Sequence, residues 1–233
     1  MPASAAAKRQ PALLAGATGL VGRALAAQWP GPEPLHLLVR RKVSASSPAQ
    51  RVHVVDFTAL PPLPQAKWAF CCLGTTIKVA GSQAAFRAVD FDAVLAFARA
   101  AVAAGVTHFG VVSALGASAR SSNFYSRTKG EMEAALQGLG FRSVVIARPS
   151  LLTGDRASLA QAPRPAEVIT LALVRPIAGL IPKAWRPIDA GTVARALLRG
   201  VAEAKPGVTV LDSAALQDLG TERSTHDRDT TAR

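Results

Sequence analysis

A glycine-rich stretch near the N-terminus, GATGLVG at residues 16–22, lies between two apolar segments. Residues 11–15 before it predict a short buried strand, and residues 23–28 after it predict a helix. A strand, a glycine-rich turn and a helix in this order are the opening unit of many α/β folds. The helix N-terminus presents free N–H groups and the positive end of its dipole, which suit the phosphates of a dinucleotide.

The three glycines of this stretch have different expected roles. Gly16 permits the tight turn, Gly19 lets the backbone approach a pyrophosphate, and Gly22 lets the helix pack closely on the strand. Their spacing is G-x-x-G-x-x-G, which departs from the dehydrogenase fingerprint G-x-G-x-x-G. A glycine-rich turn without a ligand is the alternative. The predicted phosphate site consists of Gly16, Thr18, Gly19, Leu20, Val21 and Gly22.

The second predicted strand ends in three consecutive cations at residues 40–42. An NAD site usually has an acidic residue here that accepts a hydrogen bond from the ribose 2′-hydroxyl. No carboxylate lies between Glu33 and Asp56. Guanidinium groups bind a 2′-phosphate through bidentate, charge-assisted hydrogen bonds. Arg40 and Arg41 therefore favour NADP(H) over NAD(H), and a solvated basic turn is the alternative.

The only tyrosine of the chain, Tyr125, lies four residues before Lys129 and twelve after Ser113. Residues i and i+4 share one face of a helix, and Asn123 is a suitable N-cap for it. An ammonium group lowers the pKa of a neighbouring phenol from about 10, so that the phenol can protonate a carbonyl oxygen as hydride arrives. A serine hydroxyl can hold the same oxygen. The predicted catalytic residues are Ser113, Tyr125 and Lys129.

Strands and helices alternate along the rest of the chain. Further strands are predicted at residues 35–39, 51–55, 68–72, 108–112, 143–147 and 208–211, and helices at 83–104, from 124 to about 138 and at 190–202. Such units predict an α/β fold with a doubly wound parallel sheet of Rossmann-like type. Ligands then bind outside the carboxyl ends of the strands, where the motifs above all fall. Asp90, on the helix at 83–104, is expected to be a solvated carboxylate, and a position that reaches the active site is the alternative.

The length of 233 residues fits one compact domain rather than two. We expect a flexible N-terminus at residues 1–10 and a single dinucleotide-binding domain at 11–213. Within it, the proline-rich residues 151–188 are expected to form a small substrate-covering segment. Residues from about Gly220 to Arg233 are polar and charged without apolar periodicity, and a disordered tail is expected at 214–233.

Composition argues against several classes of protein. The formal net charge of +12 would suit nucleic acid, but the cations are scattered and only 5% of residues are aromatic, which leaves little for base stacking. No apolar run approaches the ~20 residues of a membrane helix. Cys71 and Cys72 are adjacent and the histidines are dispersed, so neither a disulfide nor a metal site is predicted. We expect a soluble, cytoplasmic protein without a nucleic-acid or membrane partner, and we allow for a homodimer.

These motifs together resemble the short-chain dehydrogenase/reductase superfamily, in particular its atypical branch of Tat-interacting-protein-like oxidoreductases and their bacterial relatives. The resemblance covers about residues 10–200. It is carried by GATGLVG at 16–22, CCLGTT at 71–76, VVS at 111–113, SSNFY with KGE across 121–131, and the dipeptide Arg148–Pro149. The family likeness implies a Rossmann-like domain with a small C-terminal substrate-covering region.

On the adenine side, the resemblance implies that Asp56, with its neighbour Phe57, contacts the adenine ring. It also implies that the turn Leu73, Gly74 and Thr75 lies along the cofactor. Two alternatives remain open at these positions. Asp56 is equally suited to capping the turn that follows its strand, and Thr75 to capping the next segment.

On the nicotinamide side, the resemblance implies that Ser113 and Tyr125 form the catalytic pair. Lys129 is then implied to form a hydrogen bond to the nicotinamide ribose in addition to acting on Tyr125. Tyr125 and Lys129 therefore also belong to the predicted cofactor-binding residues. Arg148 and Pro149 are implied to pack against the nicotinamide.

The resulting prediction is an NADP(H)-dependent oxidoreductase that transfers a hydride between the nicotinamide and a small or medium carbonyl or alcohol substrate. The alternative is an NADPH-binding regulator or sensor that acts through protein partners. An epimerase or dehydratase on a nucleotide sugar is disfavoured by the basic turn and by the short distal region. The substrate itself is not predicted.

Overall fold

Seven parallel strands form the central sheet of the computed structural model, which describes residues 10–154 and 182–221. The strands of this sheet are β1 (Ala12–Ala15), β2 (Leu35–Val39), β3 (Gln50–Val54), β4 (Trp68–Cys71), β5 (His108–Val112), β6 (Ser143–Arg148) and β9 (Gly207–Asp212). Their spatial order is β3-β2-β1-β4-β5-β6-β9, so the order reverses between β1 and β4. The predicted doubly wound parallel sheet is confirmed.

Helices cover both faces of the sheet. They are α1 (Leu20–Ala27), α2 (Ile77–Ala80), α3 (Gln83–Arg87), α4 (Ala93–Ala103), α5 (Phe124–Gln137), α6 (Ala190–Ala202) and α7 (Ser213–Thr221). One core lies between the sheet and helices α1 and α6, and the other lies between the sheet and helices α4 and α5. Strands buried on both faces explain the near-continuous apolar runs in the sequence.

Alternate residues of the central strands enter the two cores. In β1, Leu14 packs on the α1 and α6 side together with Phe70 of β4, whereas Leu13 packs on the α4 and α5 side. All three side chains are fully buried. Burial of one such side chain stabilises the fold by about 1.5–3 kcal/mol.

The helix predicted over residues 83–104 consists of three pieces. Ser82 caps α3 by accepting a hydrogen bond from the N–H of Ala85 at 3.0 Å. A π-helical turn, Ala88–Asp92, then separates α3 from α4. The wider turn shifts the helical face that meets the sheet. As a result Asp90 is fully buried, and the expectation that it is solvated is wrong.

The expectation of a disordered tail from residue 214 is wrong over its first part, because Ser213–Thr221 forms α7. Leu216 of α7 is fully buried. Arg195 and Arg199 of α6 donate hydrogen bonds to the carbonyl oxygens of Gly220 and Leu219 in the last turn of α7. Residues 222–233 lie outside the described residues, as do 1–9.

The predicted substrate-covering segment is described only at its two ends. Strands β7 (Leu152–Thr153) and β8 (Ile188–Asp189) pair in parallel and form a second, two-stranded sheet. The side chain of Ser150 also donates to the carbonyl oxygen of Arg186. The two ends are therefore fastened to each other beside β6, and residues 155–181 lie outside the described residues.

Candidate active site

A cleft of about 450 Å³ opens where the order of the strands reverses, at the carboxyl ends of β1, β4, β5 and β6. This is the place where open α/β sheets bind ligands, and the volume is typical of small-molecule sites, which span about 300–1,000 Å³. The residues that were predicted from the sequence and that line this cleft are Gly19, Leu20, Val21, Leu73, Gly74, Thr75, Ser113, Tyr125, Lys129 and Pro149. A smaller cavity, of about 370 Å³, lies apart from these residues between α6, α7 and Lys183.

The three glycines of the first turn differ in the space around them. Gly16 has a φ of +85°, and a Cβ on it would lie 2.4 Å from the carbonyl carbon of Cys72. A Cβ on Gly22 would lie 2.1 Å from the carbonyl oxygen of Gly16. A Cβ on Gly19 would approach nothing closer than 3.5 Å, and Gly19 lines the cleft. Packing within the protein therefore requires glycine at the first and third positions, whereas at Gly19 a side chain would only reduce the space of the cleft.

The N-terminus of α1 faces this cleft through Leu20 and Val21. Its N-cap residue, Gly19, offers no side-chain hydrogen bond, and the first turn contains no acidic residue. The N-terminal N–H groups and the positive end of the helix dipole are thus left for another acceptor. This arrangement suits an anionic group such as a phosphate.

Residues predicted to lie around the adenosine end are placed at the edge of the cleft or away from it. Arg40 and Arg41 are exposed and follow β2, which lies next to β1. Thr18 is exposed in the glycine-rich turn. Phe57 is buried, and its side chain packs in the core on the α4 and α5 side. None of these four residues is among those that line the cleft.

Asp56 is exposed after β3, and its carboxylate closes the turn that follows. One carboxylate oxygen accepts hydrogen bonds from the N–H of Thr58 at 2.9 Å and from its hydroxyl at 2.8 Å. These two bonds lower the pKa of Asp56. The structure shows Asp56 capping this turn, and the implied contact with the adenine ring stays a prediction.

Ser113 follows β5 and is held by its backbone N–H, which donates to the carbonyl oxygen of Ala147 at 2.7 Å. The residue is buried and lines the cleft. Within residues 10–154 and 182–221, its hydroxyl has no hydrogen-bond partner. An unpaired buried polar group costs about 1–3 kcal/mol, so this hydroxyl is available to a ligand.

Tyr125 lies in the first turn of α5, half-buried at the wall of the cleft. The helix begins at the predicted N-cap, Asn123, whose side chain accepts a hydrogen bond from the N–H of Ser126 at 3.1 Å. The Tyr125 ring packs on the buried ring of Phe86 with 5.3 Å between ring centroids. This contact limits the positions that the phenol can occupy.

Lys129 lies one turn after Tyr125 and is buried. Its Nζ lies 2.8 Å from Oδ1 of Asp90, and the two side chains are only 4% and 0% exposed. Burial by itself lowers the pKa of Lys129, but the charge of Asp90 and the neighbouring Tyr125 outweigh it, so the net shift is upward. Lys129 is therefore cationic at neutral pH.

Asp90 joins Lys129 to the turn that follows β4. Its second oxygen, Oδ2, accepts a hydrogen bond from the N–H of Thr75 at 2.8 Å. A Cβ on Gly74 would lie 3.4 Å from Oδ1 of Asp90 and 3.8 Å from Nζ of Lys129, so this turn covers the ion pair closely. Helical periodicity gave no signal for Asp90, because the π-helical turn breaks that period.

Arg148 does not line the cleft, unlike its neighbour Pro149. Its guanidinium group binds the buried carboxylate of Glu133 on α5, with N–O distances of 3.0 Å and 2.5 Å. These hydrogen bonds raise the pKa of Arg148. The guanidinium group thus fastens β6 to α5, and the implied packing of Arg148 on a nicotinamide stays a prediction.

Two cysteines lie at the end of β4, below and beside the cleft. Burial raises the pKa of Cys71 to about 12, and burial also raises the pKa of Cys72, which lines the cleft. Both are therefore neutral thiols at neutral pH and poor nucleophiles.

Among the described residues, no group of three or more His, Cys, Asp or Glu side chains could hold a metal ion. None of the helices in that same part is long and apolar enough to cross a membrane.

Several curated proteins are similar to this chain over most of its length, although no protein-family model matches it. Protein HTATIP2 of Rattus norvegicus is 34% identical over 219 residues, which cover 88% of this chain and 87% of the relative. The mitochondrial protein fmp52 of Emericella nidulans is 30% identical over 214 residues, covering 85% of this chain and 88% of the relative.

Solved structures with the same fold include MoeE5 in complex with UDP-glucose and NAD. It has a TM-score of 0.66 and 19% identity, and it covers 86% of this chain and 75% of its own. ADP-L-glycero-D-manno-heptose-6-epimerase of Helicobacter pylori has a TM-score of 0.63 and 17% identity. The match covers 88% of this chain and 77% of the epimerase chain. At these identities the likeness shows the fold alone.

The expected cytoplasmic location is contradicted by the curated relatives. The FMP52 proteins of Emericella nidulans, Debaryomyces hansenii and Aspergillus fumigatus are all named mitochondrial. Composition and cysteine usage, on which the expectation rested, do not distinguish among reducing compartments.

The sequence similarity extends over more than four fifths of this chain and of the rat and Emericella nidulans proteins. The chain belongs to the atypical branch of the short-chain dehydrogenase/reductase superfamily, in the group of HTATIP2.

Proposed function

We propose that this protein is an NADP(H)-dependent oxidoreductase that transfers a hydride between the nicotinamide and a small or medium carbonyl or alcohol substrate. One observation carries the proposal. The side chains of Ser113, Tyr125 and Lys129 line the same cleft as the N-terminus of α1, and the buried Ser113 hydroxyl has no partner among the described residues.

The residues of the cleft fit a dinucleotide. The pyrophosphate would lie at Gly19, Leu20 and Val21, where the N-terminus of α1 meets space that no side chain fills. The turn at residues 73–75 would lie along the cofactor, and Lys129 would bond the nicotinamide ribose. When bound, the cofactor supplies the hydride for reduction or accepts it in oxidation.

The preference for NADP(H) is supported by Arg40 and Arg41. Both are exposed at the carboxyl end of β2, beside the strand that leads into the glycine-rich turn. Guanidinium groups at this edge can bind the 2′-phosphate that distinguishes NADP(H) from NAD(H).

Residues of the chain itself transfer the proton and stabilise the charge on the substrate oxygen. In reduction, the substrate carbon gains the hydride, and Tyr125 donates its hydroxyl proton to the substrate oxygen. The Ser113 hydroxyl donates a hydrogen bond to the same oxygen and stabilises the negative charge that develops on it. Lys129, held cationic, favours the phenolate that is left on Tyr125 until solvent returns a proton. Oxidation of an alcohol uses the same groups in reverse.

The test is NADPH oxidation by the purified protein over a panel of aldehydes, ketones and quinones, with Tyr125→Phe measured in parallel. We expect turnover with at least one substrate class and its loss in Tyr125→Phe, by about a hundredfold or more. NADPH binding should stay nearly unchanged in the variant, because the Phe ring still packs on Phe86.

Two results would contradict the proposal. Near-wild-type turnover in Tyr125→Phe would exclude the role of the phenol. NADPH binding without turnover on any member of the panel would favour the regulator or sensor that the sequence left as the alternative.

A further inference from the structure

The ion pair between Asp90 and Lys129 lies in the wall of the cleft, and its side chains are almost fully buried. The Asp90 side chain is 0% exposed and that of Lys129 is 4% exposed, with 2.8 Å between Oδ1 and Nζ. Asp90 is the buried residue of the π-helical turn Ala88–Asp92. π-Helical turns are rare and are frequently found at functional sites.

Stability alone does not account for a pair of this kind. Removing two charges from water costs several kcal/mol per ion, and apolar residues of similar volume often stabilise a fold as well or better. Lys129 nevertheless interacts with the half-buried Tyr125, and both members of the pair are among the residues that line the cleft. The arrangement therefore points to a role in the chemistry of the cleft.

Three titratable groups face Lys129 from the elements packed around it. Asp90 belongs to the π-helical turn, Tyr125 to α5 and Cys71 to the end of β4. Burial raises the pKa of Cys71 to about 12, so its thiol is neutral over most of the accessible pH range. Asp90 is thus the group that opposes the effect of burial on Lys129 at neutral pH.

We propose that Asp90 is a positioning residue that keeps Lys129 cationic and fixed one turn from Tyr125, and that it thereby sets the ionisation of the Tyr125 phenol. Without the carboxylate, the buried ammonium group has no counter-charge, and its neutral form is favoured. A neutral Lys129 no longer favours the phenolate form of Tyr125. The inference rests on the proposed function for its importance, since that function assigns the proton to Tyr125.

The chain offers a direct readout, because Tyr125 is its only tyrosine. The near-ultraviolet absorbance of phenolate during a pH titration therefore reports this one side chain, without cofactor or substrate. Wild type, Asp90→Asn and Lys129→Met are titrated together. The matched control is Asp92→Asn, which removes the same charge from an exposed position of the same turn.

We expect Asp90→Asn and Lys129→Met to shift the midpoint of phenolate formation upward by about one pH unit or more. Asp92→Asn should leave the midpoint where it is in the wild type. A downward shift in Asp90→Asn would overturn the proposal, since it would mean that Lys129 stays cationic without Asp90. An unchanged midpoint would overturn it equally.

A double variant keeps the test decisive if Asp90→Asn does not fold. Asp90→Asn with Lys129→Met removes both buried charges together, which proteins tolerate better than one unpaired charge. If Asp90 acts through Lys129, the double variant and Lys129→Met have the same midpoint. Different midpoints would show a direct effect of Asp90 on Tyr125 and would overturn the proposal.

These titrations separate the inference from the proposed function. An upward shift together with no carbonyl turnover would leave the role of Asp90 standing and refute the reductase. Turnover in the wild type, together with an unchanged midpoint of phenolate formation in Asp90→Asn, would support the reductase and refute the role of Asp90. If Asp90 only anchored the backbone of Thr75, the phenol titration would not change.

Discussion

Gly16, Gly19 and Gly22 share one turn, but the space around each of them differs. Backbone atoms of the protein surround the first and the third, whereas Gly19 borders the cleft. The sequence predicted the tight turn at Gly16 and the close packing at Gly22, because the order of strand, turn and helix fixes where each glycine must lie, and the approach of a pyrophosphate to Gly19 stays a prediction.

The first prediction compares alanine at two of these positions. Gly22→Ala should destabilise the fold by about 1–3 kcal/mol, because its Cβ would lie 2.1 Å from the carbonyl oxygen of Gly16. Gly19→Ala should keep wild-type thermal stability and lose about tenfold or more in NADPH affinity, which corresponds to ~1.4 kcal/mol. Thermal unfolding and NADPH titration measure the two effects. Equal NADPH affinity in Gly19→Ala and wild type would contradict the assignment of this turn to the pyrophosphate.

The second prediction concerns the basic turn after β2. Replacing Arg40 and Arg41 together by Ala should lower NADPH affinity by about tenfold or more and leave NADH affinity nearly unchanged, because only NADPH carries the 2′-phosphate. Dissociation constants for both cofactors measure the effect. The control is Arg99→Ala, which removes an exposed guanidinium from α4. Equal losses for the two cofactors would refute the preference for NADP(H).

The side-chain pairings of Arg148 and Asp90 were not predicted from the sequence, for physical reasons. The implied packing of Arg148 on a nicotinamide stays a prediction, whereas its guanidinium group binds a buried carboxylate on the neighbouring helix, Glu133. Asp90 is separated from Lys129 by 39 positions in the chain, and the π-helical turn shifts it off the helical period. Pairings of this kind depend on tertiary structure and leave no local pattern.

At the scale of elements, strands and the longer helices were the most predictable. Strands buried on both faces form short apolar runs between turns, so β2 and β5 have the predicted bounds. Helix α6 also begins and ends where its amphipathic pattern does. Helix α7 was missed because it is nine residues long and is held by arginines of α6 that lie about twenty positions earlier. The two-residue strands β7 and β8 are too short to have a pattern.

The third prediction belongs to α5, the helix that bears Tyr125 and Lys129. A Cβ on Gly130 would lie 2.1 Å from the backbone nitrogen of Ala119, so α5 packs directly on the loop before it. Gly130→Ala should separate helix and loop, lower the free energy of unfolding by about 1–3 kcal/mol and reduce turnover through displacement of Tyr125 and Lys129.

The matched control for this prediction is Gly138→Ala at the C-cap of the same helix. A Cβ there would approach nothing closer than 3.8 Å, and the φ of −88° is accessible to alanine. Denaturant unfolding and NADPH oxidation are measured for both variants. Similar effects of the two substitutions would show that the close contact at Gly130 does not hold the helix in place.

At the scale of the whole molecule, the alternation of strands and helices was sufficient to predict the sheet. A right-handed crossover between parallel strands leaves few topologies for such a chain, and ligands in these sheets bind at the reversal of strand order. Because that reversal lies between β1 and β4, separate motifs meet in a single cleft. The cellular location was not predictable, because the composition of a folded domain does not specify the compartment in which the protein resides.

The most direct measurement for the proposed hydride transfer uses NADPH deuterated at the transferable position of its nicotinamide ring, together with a carbonyl compound that the protein turns over. The account predicts an alcohol product with deuterium on the former carbonyl carbon from the wild type. It predicts a loss of about a hundredfold or more in the rate of that product from Tyr125→Phe, although the variant still binds NADPH. Labelled alcohol formed equally fast by Tyr125→Phe, or no labelled product from any carbonyl compound, would contradict the account.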